Sequence, residues 1–155
     1  MHGVFGEDGF IQEILDKNNI IYNGSQSSSS KNCFDKNFTK EIAQDNDIAT
    51  PDFAIINEES SNIDSFKFSK CVIKPNKQGS SVGFSIINDI KEIEDALQSA
   101  LKHDSHALIE DYIEGREITV SILGNQALSV IDIQPNHGIY DYRAKYTKGK
   151  TRYIC

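Results

Sequence analysis

Cys71 to Gly83 reads CVIKPNKQGSSVG, and the interpretation of this stretch decides the fold. Cys71-Val72-Ile73 is a short apolar run that predicts a buried strand, closed by Lys74. Pro75 has no N–H to give a ladder, so pairing is expected to stop there or lie at an edge. Asn76 to Gly83 follows with two glycines and two serines, and Phe84-Ser85-Ile86-Ile87 alternates as a returning strand. A lysine at a strand end, facing a Gly/Ser loop rich in backbone N–H groups, suits phosphate oxygens. It is not a Walker loop, where the lysine follows the glycines and a helix begins. Two readings stay open on this stretch: a β-hairpin flap over a nucleotide, or an ordinary hairpin with a snorkelling lysine.

The chain has 155 residues, 38% hydrophobic and 25% charged, with a formal net charge of −7. That is a globular composition rather than a disordered one, and the acidity speaks against a general nucleic-acid binder. No apolar run approaches the ~20 residues of a membrane span. The N-terminus, MHGVFGEDG, lacks the basic and apolar regions of a signal peptide. Cys33, Cys71 and Cys155 form no CxxC pair, which suits a reducing cytoplasm. His103 and His106 are spaced i,i+3 without further ligands nearby, so a solvated helix end is expected there rather than zinc.

Upstream of the hairpin, Gly3, Gly6 and Gly9 lead into a helix carrying Ile11, Ile14 and Leu15 on one face, with Asp8 as its expected N-cap. A glycine-rich entry to a helix N-terminus favours an anion, flanked here by His2 and Glu7; a plainly capped helix accounts for it equally. Ile20-Ile21-Tyr22 predicts a short strand. The run SQSSSS, Ser25–Ser30, reads as linker or as a hydroxyl-capped helix start. Phe34, Phe38 and Ile42 predict one helix over Cys33–Gln44 with Asp35-Lys36 inside it. Phe53–Ile56 predicts a strand and Asn57–Ser65 a polar loop.

Downstream, Asp89–Lys102 predicts a helix with Ile90, Ile93, Leu97 and Leu101 as its buried stripe. Ala107-Leu108-Ile109 predicts a buried strand. Arg116–Leu123 alternates, setting Ile118, Val120 and Ile122 toward a core and Glu117 away from it. Gly124-Asn125 turns the chain into a strand over Gln126–Gln134. The order describes an α+β chain with two largely antiparallel sheets. Tyr140–Tyr153 then holds five basic residues against one acid, and four of the six tyrosines. Such a patch in an acidic protein suits phosphate or a single-stranded nucleic acid.

HGVFGEDG, Asp35-Lys36, VIKPNKQGSSVG, LIEDYIEGREITV and YDYRAKY together resemble the D-alanine–D-alanine ligases of the ATP-grasp superfamily, in order and approximate spacing from His2 to Cys155. The resemblance implies an ATP-grasp fold, incomplete, with a nucleotide cleft between its two sheets. It implies three parts: residues 1–24 from an N-terminal substrate domain, 25–109 as the central subdomain with the flap, and 110–155 as the start of the C-terminal subdomain. The implied activity is ATP-dependent ligation of two D-alanines through an acyl phosphate, for peptidoglycan synthesis in the cytoplasm.

The resemblance also implies roles. Lys36 and Lys74 bind ATP phosphates under Gly79, Ser80 and Ser81. Glu110 and the backbone of Asp111, Tyr112 and Ile113 border adenine, and Glu117 accepts the ribose hydroxyls. Tyr140–Tyr146 is a mobile closing loop, with Lys145 on phosphate and Tyr146 against Ser80; these three are the implied catalytic residues, and Tyr146 also meets substrate. Glu7 and His2 serve the first D-alanine. ATP, Mg²⁺ and D-alanine are the implied ligands, with no nucleic-acid or membrane partner and a frequent homodimer. Arg143 stands where the family usually carries an acid, and SQSSSS replaces a more apolar helical stretch. The family extends beyond both ends of this sequence, and its metal-binding acids match nothing within it. An internal, catalytically incomplete piece is therefore expected. The alternatives are a non-catalytic nucleotide- or nucleic-acid-binding remnant and another ATP-grasp carboxylate–amine ligase.

Overall fold

The hairpin predicted around Lys74 supplies one inner and one edge strand of a four-stranded antiparallel sheet in the computed structural model, which describes residues 3–59 and 70–155. The strands are β1 (Phe53–Asn57), β2 (Cys71–Pro75), β3 (Ser85–Ile87) and β4 (His106–Asp111), in spatial order β1-β4-β2-β3. Cys71 pairs with Ile87 and Ile73 with Ser85 across the hairpin, while β2 pairs on its other side from Cys71↔Asp111 to Pro75↔Ala107. Pro75 is tolerated because the β3 partner has already ended at Ser85, so no ladder bond on that side needs its missing N–H. The return strand is shorter than predicted and begins at Ser85 rather than Phe84.

Alternation divides this sheet into two faces. Cys71 and Ile73 of β2 and Ala107 and Ile109 of β4 join Ile56, Ile87 and the helix α4 (Ile93–Leu101) in one hydrophobic core. The intervening residues Val72, Lys74, Leu108 and Glu110 therefore project from the opposite face. Glu110 lies directly across from Val72 on one side and Phe53 on the other. Lys74, one step further along β2, is its diagonal neighbour, within reach of a long side chain.

Three helices precede the sheet: α1 (Phe10–Lys17), α2 (Ser27–Phe34) and α3 (Lys36–Asp45). Asp8 sits before the α1 cap rather than at it: Gly9 is the N-cap, and the Asp8 carboxylate accepts from the N–H groups of Phe5 (2.9 Å) and Phe10 (3.1 Å). The strand expected at Ile20–Tyr22 does not form. The Ile20 N–H closes back on the Leu15 carbonyl, and Ile21 is 98% exposed with no strand beside it. The serine run is helical, as α2. The single helix expected over Cys33–Gln44 is broken at Asp35, whose extended backbone (ψ 105°) ends α2 while its carboxylate caps α3 by accepting from Phe38 N–H at 3.1 Å.

Asp89–Lys102 is likewise divided into a 3₁₀ turn (Ile90–Glu92) and α4. Ile93, Leu97, Ala96 and Ala100 are buried, but Ile90 is 78% exposed because the tighter turn rotates it off the stripe. Of the loop predicted at Asn57–Ser65, residues 60–65 lie outside the described residues, and Asn57 belongs to β1.

The chain divides into two compact units, Met1–Tyr112 and Ile113–Cys155. The second holds a three-stranded antiparallel sheet of β5 (Glu117–Leu123), β6 (Gln126–Pro135) and β7 (Thr151–Ile154), with a short helix α5 (Tyr142–Tyr146). Gly124-Asn125 forms the predicted two-residue turn, with Gly124 at φ 60°. The inward face expected for Ile118, Val120 and Ile122 is not buried: all of β5 is exposed at the edge of its sheet, and a register shift between Val120 and Ile122 interrupts its alternation. Tyr140–Tyr146, which the resemblance implies to be a closing loop, contains α5, and β7 follows it. Asp141 caps α5 by accepting from Ala144 N–H (2.8 Å), and the Thr151 hydroxyl donates to the Ala144 carbonyl (2.7 Å).

Candidate functional site

The break at Asp35 lets the start of α3 meet the flap. Its carboxylate, besides capping α3, accepts from Asn76 Nδ2 (3.0 Å) and pairs with Lys77 (3.0 Å). Burial opposes this charge, but the Phe38 N–H, Asn76 and Lys77 outweigh it and hold the Asp35 carboxyl below its ordinary range. The N–H groups of Lys36 and Asn37 donate to Asn76 in turn, at 3.3 and 2.8 Å. Helix and flap are thus joined at several points before the Lys36 ammonium is considered.

Lys36 extends its Nζ to the carbonyls of Asn76 (3.0 Å) and Gln78 (2.7 Å). Burial, and then the nearby charge of Lys74, lower its pKa to about 8. The two lysines singled out from sequence therefore lie within each other's field, although 38 positions separate Lys36 from Lys74. Lys74 is paired with Glu110 Oε1. Burial would raise the pKa of Glu110, but Lys74 and Lys40 outweigh it and hold the carboxyl below the usual range.

Lys40 was not singled out by motif or resemblance. Its Nζ contacts Glu110 Oε2 at 2.9 Å, so the Glu110 carboxylate is divided between two cations from two elements. The signal that could have found it is simple: Lys40 lies four residues after Lys36, on the same face of α3.

The flap takes strained backbone. Ser80 and Ser81 have φ of 55° and 59°, left-handed values that cost a non-glycine residue roughly 1–2 kcal/mol each. Successive residues of this kind turn backbone N–H groups toward one side, the arrangement of an anion-binding loop. Gly79 lies close to Glu7: a Cβ there would stand 2.6 Å from Glu7 Oε2, and the flexible Glu7 side chain would have to give way. Glu7 is held by the Gly3 N–H. A cavity of about 520 Å³ opens beside these groups, with Glu7, Gln12, Ser30, Lys36 and Gly79 in its lining. His2 lies outside the described residues.

At the end of β4 the Asp111 N–H donates to the Asp52 carbonyl (3.0 Å) and the Tyr112 N–H to Lys70 (3.1 Å). The Lys70 ammonium stands 3.8 Å over the Tyr112 ring. Ile113 is exposed and begins the second unit.

In that unit Tyr140 is the common neighbour of the remaining candidates. Lys145 Nζ lies 5.3 Å from the centre of its ring, and its hydroxyl is 2.8 Å from that of Tyr153. That hydrogen bond, with burial and the charges of Tyr153, Glu117 and Tyr146, raises the Tyr140 pKa to about 12. The first unit thus gathers Glu7, Lys36, Lys74, Gly79 and Glu110, with Ser80 and Ser81 on the same flap. The second gathers Glu117, Lys145 and Tyr146 about Tyr140.

Residues 42–155 match the family model described as the D-Ala–D-Ala ligase C-terminus. The chain belongs to the D-alanine–D-alanine ligase family. A D-alanine–D-alanine ligase of Methylacidiphilum infernorum is 42% identical over 156 residues, covering 100% of this chain and 50% of the relative. The crystal structure of a D-alanine–D-alanine ligase from Bacillus anthracis is 38% identical with a TM-score of 0.82, covering 99% of this chain and 52% of that one. A structure of the Bacillus anthracis ligase complexed with ATP gives 32% identity and a TM-score of 0.80, covering 99% and 50%. The architecture is ATP-grasp, with two antiparallel sheets. This chain spans about half the length of the curated relatives it matches.

Proposed function

We propose that this member of the ligase family takes part in the ATP-dependent joining of two D-alanines, supplying the nucleotide-binding portion of that reaction. The observation that carries the reading is the convergence of Lys36 and Lys74 at a flap whose own carbonyls hold Lys36. A polyanion between these two partly buried cations would relieve their mutual repulsion. ATP supplies the phosphoryl group that activates the first carboxylate.

In this reading Lys36 and Lys74 hold the phosphates, and Gly79, Ser80 and Ser81 cover them with backbone N–H groups and hydroxyls. Glu110 borders adenine with the backbone of Asp111, Tyr112 and Ile113. The Asp111 and Tyr112 N–H groups are already committed within the protein, so these two residues would meet the base through their carbonyls. Glu117 accepts the ribose hydroxyls. Lys145 adds a further phosphate cation and forms the catalytic set with Ser80 and Tyr146, and Tyr146, Glu7 and His2 serve the first D-alanine. The catalytic contribution of these groups is electrostatic: fixed cations and dipoles aimed at the transferring phosphoryl group.

Magnesium does not fit the described residues. Among them no group of three or more His, Cys, Asp or Glu side chains is placed to hold a metal ion. The further parts of the reading are a role in cell-wall synthesis, a cytoplasmic location and a homodimer. Among the described residues no helix is long and apolar enough to cross a membrane.

The test is ATP binding followed by chemical-shift titration, with K36M and K74M alongside. The reading expects saturable binding that each substitution weakens by ~1.5–3 kcal/mol, the worth of a hydrogen bond to a charged group. Equal binding by all three chains would remove both lysines from the site.

A further inference from the structure

Lys40 is more deeply placed than the lysine it accompanies: its side chain is 9% exposed, against 24% for Lys74. Its ammonium has three protons and three oxygen partners, namely Glu110 Oε2 (2.9 Å), Thr50 Oγ1 (2.6 Å) and the Pro51 carbonyl (3.1 Å). The Phe53 ring lies 4.9 Å from the same nitrogen. Such an ammonium is fixed on every side and has no capacity left for a ligand. Lys74 is more open, and it shares a field with Lys36 that pushes the two cations apart.

We propose that Lys40 is a positioning residue which keeps the Glu110 carboxylate ionised and in place while Lys74 leaves it for a phosphate. This rests on the nucleotide reading above. Lys74 cannot keep its pairing with Glu110 and also move onto a phosphate oxygen. A buried carboxylate deprived of its last cation takes up a proton or drags its strand toward solvent. The division of Glu110 between two lysines removes that obstacle: Oε1 is released and Oε2 stays anchored. The anchor is rigid because Lys40 leaves α3 on the same face as Lys36, and its other partners are Thr50 and Pro51, just ahead of β1. The charged groups in reach of this exchange are Lys36 and Lys40 from α3, Asp35 at its cap, Lys74 from β2, Asp104 before β4, and Glu110 itself.

The substitution K74M mimics the departure of Lys74 without any nucleotide. Carbon-detected NMR of the Glu110 carboxylate, assigned by its loss in E110Q, reads the titration directly. Glu110 is expected to stay ionised at neutral pH in K74M. In K74M/K40M its midpoint is expected to rise by ~1–3 pH units, and K74M/K40R should recover most of that rise. A merely structural lysine would lower the melting temperature without moving this midpoint. Coincident Glu110 titrations in K74M and K74M/K40M overturn the proposal.

A second measurement needs no substitution. Adding ATP to the unmutated chain should shift the Lys74 ε-methylene resonance and leave that of Lys40 unmoved; equal movement of both overturns the proposal. An unmutated chain that binds no ATP overturns the nucleotide reading, and the exchange with it. One that binds ATP equally well with and without K40M overturns the role of Lys40 alone.

Discussion

Lys36 should take up a proton when the site binds a polyphosphate. Its pKa is lowered to about 8 by burial and by Lys74, so in the empty protein it is half neutral near pH 8. A bound polyanion favours the charged form and returns the value toward the ordinary range near 10.4. The arithmetic of a single site then gives uptake of roughly 0.1 proton at pH 7, 0.5 at pH 8 and 0.9 at pH 9. Affinity is expected to fall by about tenfold between pH 7 and pH 9 for the same reason. The sign for folding follows independently of ligand. The folded value lies below the unfolded one, so the unfolded chain binds more protons between pH 8 and the ordinary lysine range. Lys36 therefore destabilises the fold fully below pH 8, and that penalty is relieved as pH rises through this window. The assay is calorimetric titration of ATP at pH 8 in two buffers of different ionisation enthalpy, with K36M as control. Zero uptake in the unmutated chain, or undiminished uptake in K36M, would refute the reasoning.

Replacing Asp35 by Ala removes the α3 cap and its links to Asn76 and Lys77; denaturant unfolding should show a loss of ~1–2 kcal/mol, the upper range for an N-cap. Gly83→Ala should cost at least ~1–2 kcal/mol in the same assay, because φ is +66° and the new Cβ would stand 2.9 Å from Pro75 Cγ. Glu117→Ala should leave stability within about 0.5 kcal/mol, since the side chain is exposed, yet weaken ATP binding by ~1–3 kcal/mol; unchanged affinity removes it from the site. The 155-residue chain by itself is expected to form no D-alanyl-D-alanine from ATP, Mg²⁺ and D-alanine, because no described cluster of carboxylates is placed to hold the metal that phosphoryl transfer employs. Dipeptide in that assay, dependent on added D-alanine, would overturn this expectation.

What the sequence made legible was the part with a short period and a local cause. Cys71-Val72-Ile73 and Ala107-Leu108-Ile109 are buried on both faces of a sheet interior, so unbroken apolar runs marked them without ambiguity. Gly124-Asn125 specified its turn by backbone freedom alone. The failures were non-local. Ile20-Ile21-Tyr22 has the composition of a strand, but composition cannot supply a partner. Phe34, Phe38 and Ile42 keep helical spacing across Asp35, so periodicity could not report the break; the partners that hold Asp35 extended, Asn76 and Lys77, lie some forty residues away. Lys40 escaped because a lysine on a helix is ordinarily solvated. Only the register of β1 against β4, which sets Phe53 beside Glu110, shows that this one faces inward.

The arrangement also accounts for how a chain of net charge −7 can offer a seat to a polyanion. Around the flap, Lys36, Lys40, Lys74 and Lys77 meet Asp35, Asp104 and Glu110. Two of the acids are committed to particular lysines, Asp35 to Lys77 and Glu110 to Lys74 and Lys40, while Asp104 accepts from the Lys77 backbone N–H. Lys36 is fixed instead by two carbonyl dipoles, which orient an ammonium without neutralising it. A buried cation treated this way keeps its field and loses part of its proton affinity, as its lowered pKa records. Positive charge is therefore concentrated locally at the flap of a chain that is acidic overall.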